Sequence, residues 1–570
     1  MGTREVSGEA VAFFLARSTQ LTFSTTSAAA SSQTVFDAFR HAADHHGPRP
    51  FLQTLPETAA IYGIDAGTIT YAQAHAEVTL LSRHYLQAGY GHGHRVGLLL
   101  ENRPAFFMHW LALNALGVSV VPISSEMRAA ELHYLFEHSE LCLVICLPQR
   151  LEDLRRSATQ AGHAIGVITP AAAADGALPA APTAAPLAGS PSSDTECALL
   201  YTSGTTGRPK GCVLTNFYFL RAGGGYVDMG GICVLQPGQE RLLTPLPLVH
   251  MNAMACSTMA MILIGGCIIA LDRFHPKTWW DSVRQSQATI FHYLGVMPAM
   301  LMGLPPDELD ARHQVRFGFG AGVDKLRQAD FEARFKLPLV EAWAMTETGG
   351  GAMLAANHEP RRIGQSCIGK PDGTLVLRIV DDQGQEASVG TPGELQVRAA
   401  GPDPRRGFFR EYLKDEQATA EAWKDGWFHT GDIVRQDAEG YLYFMDRKKN
   451  VIRRSGENIS AVEVESVLLQ HPAVQAVAVA AVPDPIRGDE VLALVVPRSA
   501  QQAEHTARSI TEFCLTQLAY YKAPGYIAFI EQLPLTSSQK VQRGKVKELA
   551  HSLFGSGATV DLRALKRRQD

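Results

Sequence analysis

The run Leu199-Leu200-Tyr201-Thr202-Ser203-Gly204-Thr205-Thr206-Gly207-Arg208-Pro209-Lys210-Gly211 leads from an apolar strand into a loop with three glycines, four hydroxyls and a lysine. A helical-looking stretch, 214–220, follows it. Glycines let backbone N–H groups close around an anion, hydroxyls add donors, and lysine brings a mobile positive charge. The chemistry is phosphate binding. The spacing G-x-x-x-x-G-K-[ST] does not occur, so the loop is not the P-loop of nucleoside triphosphatases.

Such a loop has to be held by a layered scaffold, and the flanking pattern supplies one. Helical patterns over 35–45, 71–88, 104–116 and 129–138 alternate with apolar strand patterns over 95–100, 118–122 and 141–147. That alternation predicts parallel α/β layering. Residues 171–193, rich in Ala and Pro, read as a flexible surface connection. Near Asp446 a region of short strands and Gly/Pro turns gives way to the charge cluster Asp446-Arg447-Lys448-Lys449-Asn450. Helices over 460–470 and 510–518 and strands over 474–482 and 491–497 then form a compact α+β module.

The chain is 570 residues long, enough for three or four folding units. Its 46% hydrophobic and 19% charged residues exclude a disordered chain. A net charge of −5 offers no global field for a polyanion, so nucleic acid and acidic membrane surfaces are not expected partners. Nine scattered cysteines without a CxxC pair argue for buried, reduced thiols and a cytoplasmic protein. The longest apolar run, 260–271, is too short for a membrane span and is expected in the core. Residues 1–33 read as a poorly ordered extension rather than a signal peptide.

Further blocks in fixed order resemble those of the adenylate-forming superfamily of acyl-CoA synthetases, luciferases and peptide-synthetase adenylation domains, nearest in flavour to its crotonobetaine/carnitine-CoA ligase-like branch. Besides the phosphate loop, they are Pro245-Leu246-Pro247-Leu248-Val249-His250, Phe319-Gly320-Ala321-Gly322, Trp343-Ala344-Met345-Thr346-Glu347-Thr348 and Trp427-Phe428-His429-Thr430-Gly431-Asp432. The hinge block spans Asp446 to Ile459, and the terminal lysine block runs from Leu533-Pro534-Leu535-Thr536 to Lys540. The resemblance covers roughly 34–550. It implies a large amino-terminal domain (34–445) of layered α/β subdomains plus a β-barrel-like part. A hinge (446–449), a small mobile α+β lid (450–555) and a tail (556–570) would follow.

The activity so implied is ATP-dependent ligation of a carboxylic acid to coenzyme A, through acyl-AMP and pyrophosphate. A carboxylate is a poor electrophile and meets an anionic phosphate, so the reaction needs preorganised positive charge and a metal. By resemblance, Thr202, Ser203, Gly204, Thr205, Thr206, Gly207 and Lys210 hold phosphates, and Gly320, Ala321 and Gly322 lie at adenine. Trp343 stacks on the base beside Ala344 and Met345; Asp432 and Arg447 take the ribose. Glu347 ligates Mg²⁺, Thr346 donates to the α-phosphate, and Lys540 and His250 complete the catalytic set. Lys449 is the hinge residue. Arg454, Ser455, Gly456 and Glu457 face CoA, with Lys448 and Arg453 as further phosphate contacts.

Met251, Asn252, Met297, Gly318 and Gly349 fall in the blocks that line the acyl pocket of similar enzymes. No aspartate follows the Pro-Leu-x-His segment to hold an ammonium, so the acid is expected to be small to medium and not an α-amino acid. Phe319 and Gly322 replace a glycine and a proline of the Gly-Gly-Ala-Pro block; the first would intrude on a pocket, the second loosen the turn. Gln539 replaces the glycine before Lys540. The partners expected are a small carboxylic acid, ATP and CoA. A homodimer is allowed, and a carrier protein replaces CoA in the alternative reading of a free-standing adenylation enzyme.

Overall fold

A computed structural model describes residues 32–127, 129–202, 209–381, 383–454, 457–484, 487–499, 503–518, 520–535 and 541–566. Two mainly parallel sheets form the body, as buried apolar strands separated by helices require. One runs Leu354–Ala355, Leu339–Trp343, Phe317–Ala321, Ile290–Leu294, Arg241–Thr244, Cys267–Ala270, Pro50–Thr54, Gly67–Thr70, antiparallel only at its edges. The other runs Gly166–Ile168, Leu143–Cys146, Arg95–Leu99, Ser119–Pro122, Glu196–Thr202, Lys210–Thr215. The helices Val35–His46, Tyr71–Gln87, Pro104–Asn114 and Ala129–Ser139 arise close to where the sequence pattern places them. A single apolar core unites these layers. The run 260–271 divides into a buried helix, Thr258–Ile264, and a buried strand, Cys267–Ala270.

The helix expected over 214–220 forms as Asn216–Val227, but an unexpected strand, Lys210–Thr215, antiparallel to Glu196–Thr202, comes between it and the loop. Residues 202 and 210 are paired across the hairpin, so an anion held there would meet loop donors rather than a helix dipole. The 171–193 stretch lies on the surface but is fastened to it. Ala181 N–H donates to Ala88 O (2.8 Å), Leu187 N–H to His92 O (3.0 Å) and the Tyr90 hydroxyl to Pro179 O (3.1 Å).

The barrel-like part is an antiparallel sheet ordered Cys367–Gly369, Leu442–Arg447, Trp427–Gln436, Gly393–Ala399, Leu375–Val380, open in the described residues. After Arg447 a single turn, Lys448–Asn450, leads into the strands Val451–Arg454 and Glu457–Ser460 of a smaller sheet with apolar clusters of its own. Asp446, almost fully buried, ties this junction together. Its carboxylate accepts from Ser460 Oγ (3.0 Å), Val462 N–H (3.3 Å) and Asn450 Nδ2 (3.3 Å).

The stretch after 555, expected as a tail, belongs to the small sheet: Val560–Asp561 pairs with Tyr526–Phe529, and Leu562 is buried. The physical reason is Glu490, a fully buried carboxylate that one cation does not saturate. Arg454 Nε meets its Oε2 at 2.8 Å and Lys566 Nζ meets its Oε1, both cations buried. Burial lowers the Lys566 ammonium to about 8 against the pull of Glu490. Glu490→Ala would leave two buried cations without an anion. It is expected to destabilise the small domain by about 3–5 kcal/mol, read as a fall in the denaturant midpoint; an unchanged midpoint would remove this cluster from the fold's support.

Candidate active site

Three residues on strands of two sheets meet where the nucleotide side of the site is expected. Trp343 closes Leu339–Trp343, and Asp432 and Arg447 face each other across Trp427–Gln436 and Leu442–Arg447. The Trp343 indole N–H donates to Asp432 Oδ2 (2.8 Å), and Arg447 Nε lies 3.0 Å from Oδ1. Asp432 is almost fully buried, whereas Arg447 is half exposed. The three residues are therefore brought together. The sequence assigned Trp343 stacking alone; its N–H adds a second function, holding the carboxylate by a charge-assisted bond.

Gly320 and Ala321 end the neighbouring strand, and Gly322 follows it. The exchange of proline for Gly322 does not loosen the turn. It supplies an N–H that proline lacks, and Glu341 Oε2 accepts it at 2.9 Å; Val323 N–H (3.0 Å) and the Tyr293 hydroxyl (2.7 Å) donate to Oε1. Gly322 has φ +81°, and Gly295 packs so closely that a Cβ there would lie 1.6 Å from Gly322 O. Glu341 was missed by the sequence reading, since a lone glutamate inside an apolar strand carries no motif. Burial raises its carboxyl to about 7, against the donors around it.

On the phosphate side, Thr202 and Lys210 stand paired at the mouth of the hairpin. Ser203, Gly204, Thr205, Thr206 and Gly207 lie outside the described residues. Thr346 and Glu347 follow Ala344 and Met345 in a turn whose geometry Tyr218 sets: its hydroxyl donates to Thr346 O (2.8 Å). Gly349 allows this approach. Its φ is +47°, and a Cβ there would fall 2.0 Å from the Tyr218 ring. Gly349 thus makes room for Tyr218 within the body.

Glu347 is buried, which raises its pKa, and Asp432 adds to the rise while Tyr412 and Arg447 oppose it. The Tyr412 hydroxyl donates to Glu347 Oε1 (2.9 Å), and Lys210 Nζ lies over the Tyr412 ring, 4.8 Å from its centroid. Tyr412 is a second residue that the motifs did not reveal. A buried carboxylate held by one hydroxyl beside a phosphate-seeking lysine fits Mg²⁺, which takes one or two protein carboxylates together with phosphate oxygens and water. Glu347 would hold it.

On the acid side, His250 is exposed and Met251 and Asn252 are half-buried where a π-helical turn, Asn252–Ser257, begins. Such turns are frequent at functional sites. Asn252 Oδ1 lies 2.8 Å from His292 Nδ1, Ser257 Oγ 2.9 Å from the same atom, and the Tyr226 hydroxyl 3.1 Å from Nε2. Complete burial lowers His292 to about 3, so it is neutral. Phe319 packs on this network, 4.6 Å from the Tyr226 ring and 5.2 Å from His292. Gly318 lies on the opposite face of its strand, against Phe291 and Leu339, and Met297 is buried on the helix Val296–Met302. Asn252 and the intruding Phe319 are therefore the residues brought together, and Gly318 is turned away from them.

The AMP-binding enzyme model matches residues 41–413, and the AMP-binding enzyme C-terminal domain matches 463–540. The chain belongs to the AMP-binding enzyme family. It is 33% identical over 496 residues to the sulfoacetate–CoA ligase of Cupriavidus necator, covering 86% of this chain and 94% of that protein. It is 30% identical over 509 residues to the crotonobetaine/carnitine–CoA ligase of Escherichia coli, covering 86% and 96%. ATP-bound MatB from Rhodopseudomonas palustris shares the fold with a TM-score of 0.77 at 23% identity, over 91% of this chain and 100% of that one. The anthranilate CoA ligase AuaEII, in complex with anthranoyl-AMP, does so with a TM-score of 0.78 at 21%, over 93% and 99%. The protein is an AMP-forming acyl-CoA synthetase that uses ATP, Mg²⁺ and coenzyme A.

For the thioester half of the synthetase reaction the structure describes less. Lys540, Ser455 and Gly456 lie outside the described residues, as do the side chains of Lys449, Arg453 and Glu457. Arg454, expected to face CoA, is instead buried and paired with Glu490 inside the small domain. Lys448 Nζ is 3.1 Å from Glu394 Oε2. Among the described residues, no helix of this synthetase is long and apolar enough to cross a membrane.

Two predictions follow from the nucleotide side. Trp343→Phe keeps an aromatic face but loses the bond to Asp432. It should raise the KM for ATP about tenfold, as expected for a bond to a charged group worth roughly 1.5 kcal/mol or more, and leave the KM for the acid unchanged. An unaltered KM for ATP would deny the indole N–H any part in holding Asp432. The second concerns Glu341, which keeps its proton to about 7 when folded but releases it near 4.5 when unfolded. Its contribution to stability must therefore fall as pH rises through that window. The wild-type denaturant midpoint should fall relative to that of Glu341→Gln as pH rises from 5 to 7; a flat difference would overturn the assignment.

Proposed function

We propose that this acyl-CoA synthetase activates a small, polar carboxylic acid that is not an α-amino acid. The observation that carries the acid's size is Phe319, whose ring fills the space beside Asn252, His292 and Tyr226 where a glycine would leave room. Asn252 and Ser257 keep polar groups there. The relatives named above are, by their names, ligases of sulfoacetate and of crotonobetaine and carnitine, which supports the same reading.

In the first half-reaction a carboxylate oxygen attacks the α-phosphorus of ATP and the bond to pyrophosphate breaks. Trp343 stacks on adenine beside the loop of Gly320, Ala321 and Gly322, and Asp432 accepts from the ribose hydroxyls while Arg447 stands over them. Lys210, with Thr202, Ser203, Thr205 and Thr206 and the backbone at Gly204 and Gly207, holds the departing phosphates. Thr346 donates to the α-phosphate. Bound at Glu347, Mg²⁺ supplies the charge that lets two anions meet. Lys540 neutralises the carboxylate and α-phosphate oxygens, a role that rests on the register of Leu533-Pro534-Leu535; Leu535 and Val541, on either side of the undescribed residues, form an antiparallel bridge. The thiol of CoA then attacks the acyl carbon and AMP leaves. We assign the body to 34–445, the hinge to 446–449 with Lys449, and the lid to 450 onward. Nine buried free thiols support a cytoplasmic setting.

Pyrophosphate release across short, branched, aromatic, betaine, sulfonated and steroid side-chain acids tests the acid. The highest kcat/KM is expected with a short polar acid, and preference for an aromatic or steroid acid would overturn the proposal. For the two steps, Lys540→Ala should abolish acyl-AMP formation by at least about a hundredfold, as for loss of one preorganised charge, and spare thioester formation from supplied acyl-AMP. Equal loss in both would refute its role.

A further inference from the structure

The segment 410–413 has no place in the motifs, yet it runs as an added strand along the phosphate hairpin. Arg410 N–H donates to Val213 O (2.8 Å), Val213 N–H to Glu411 O (3.0 Å) and Leu413 N–H to Gly211 O (2.8 Å), with Tyr412 bridged to Cys212. Alternation along a strand then fixes the direction of the Tyr412 side chain. Just upstream, Phe409 N–H donates to Glu347 O (2.9 Å), so this strip also holds the backbone of the carboxylate. From this strip one side chain reaches two functional groups: the hydroxyl donates to Glu347 Oε1 at 2.9 Å, and Lys210 Nζ rests over the ring at 4.8 Å.

Resting on the reading of Glu347 as the metal carboxylate, we propose that Tyr412 is a positioning residue that couples the metal side of the site to the phosphate side. Its hydroxyl fixes the rotation of Glu347. Its ring face seats Lys210 by a cation–π contact, which is stronger where water is excluded. Half-buried Lys210 and buried Glu347 both lie against Tyr412; opposite charges so placed attract each other, and a direct ion pair would silence both toward ATP and Mg²⁺. Tyr412 satisfies each with a different part of one side chain and so keeps them apart before substrate arrives.

The test uses full-length protein and Mn²⁺ as the metal probe. Mn²⁺ binding to the complex with a non-hydrolysable ATP analogue is measured by electron paramagnetic resonance, and binding of the metal-free analogue by calorimetry. Tyr412→Phe should weaken Mn²⁺ about tenfold and leave metal-free nucleotide binding unchanged, because the ring remains under Lys210. Tyr412→Leu should weaken both. Wild-type Mn²⁺ affinity in Tyr412→Phe, or the same loss of metal-free nucleotide binding in both variants, would overturn the proposal. Glu347→Gln separates the two levels: if it binds Mn²⁺ as wild type does, the metal assignment itself fails, whereas a loss in Glu347→Gln with none in Tyr412→Phe refutes the coupling alone.

Discussion

Asp432 is a carboxylate with almost no exposure at the seam between the parallel sheet that ends in Trp343 and the antiparallel sheet that carries Arg447. Burying a charge is costly unless it is paired and hydrogen-bonded, and here the partners come from both sheets. The bond to Trp343 spans 89 residues of chain, and the pairing with Arg447 crosses two neighbouring strands. The seam can therefore close in only one register without leaving an uncompensated anion. The same requirement fixes Trp343 and Arg447 relative to each other, and with them the geometry offered to a nucleotide.

The phosphate side obeys the same logic with a different partner. Glu347 has burial and the Asp432 charge raising its pKa, and Arg447 and the Tyr412 hydroxyl opposing them. One cationic side chain thus stabilises two anionic ones. A protein with a net charge of −5 can bind the polyanions ATP and CoA only by gathering its positive charge locally. In this structure the buried carboxylates set where those cations stand. The balance is local, since interactions between exposed charges fade beyond roughly 8 Å at physiological ionic strength.

The alternating α/β body was legible because apolar strands and amphipathic helices differ in period, and the blocks at Trp343, Glu347 and Asp432 were legible by resemblance. Tyr412 and Glu341 were not. Each acts from one position in an otherwise apolar or irregular stretch, and their value lies in bonds to residues 65 and 18 to 19 positions away. Gly322 was misread because the missing proline was weighed as lost stiffness, whereas the chain gains an N–H and a buried acceptor for it. Arg454 was misread because a basic residue in a charged run looks solvated, and nothing local reveals a buried Glu490 36 residues on. The helix expected over 214–220 forms as Asn216–Val227, while the strand Lys210–Thr215 before it was not read, because a short apolar run does not distinguish strand from helix.

Asp446 shows what a swinging small domain would have to exchange. Its carboxylate accepts from the turn at Asn450 and from Ser460 and Val462, and Ser460 in turn caps the helix Ala461–Leu468 by accepting from Glu463 N–H at 3.2 Å. Rotation about 446–449 separates these groups, and each polar group left buried without a partner costs about 1–3 kcal/mol. A second arrangement of similar stability must therefore expose Asp446 to water or give it new donors. Asn450, in the single turn of the junction, already donates to this carboxylate and could follow it as the backbone rotates. The small domain has its own apolar clusters and the Arg454–Glu490–Lys566 cluster, so in such a rotation it would keep its core while Asp446, Ser460 and Lys448 exchange partners at the junction.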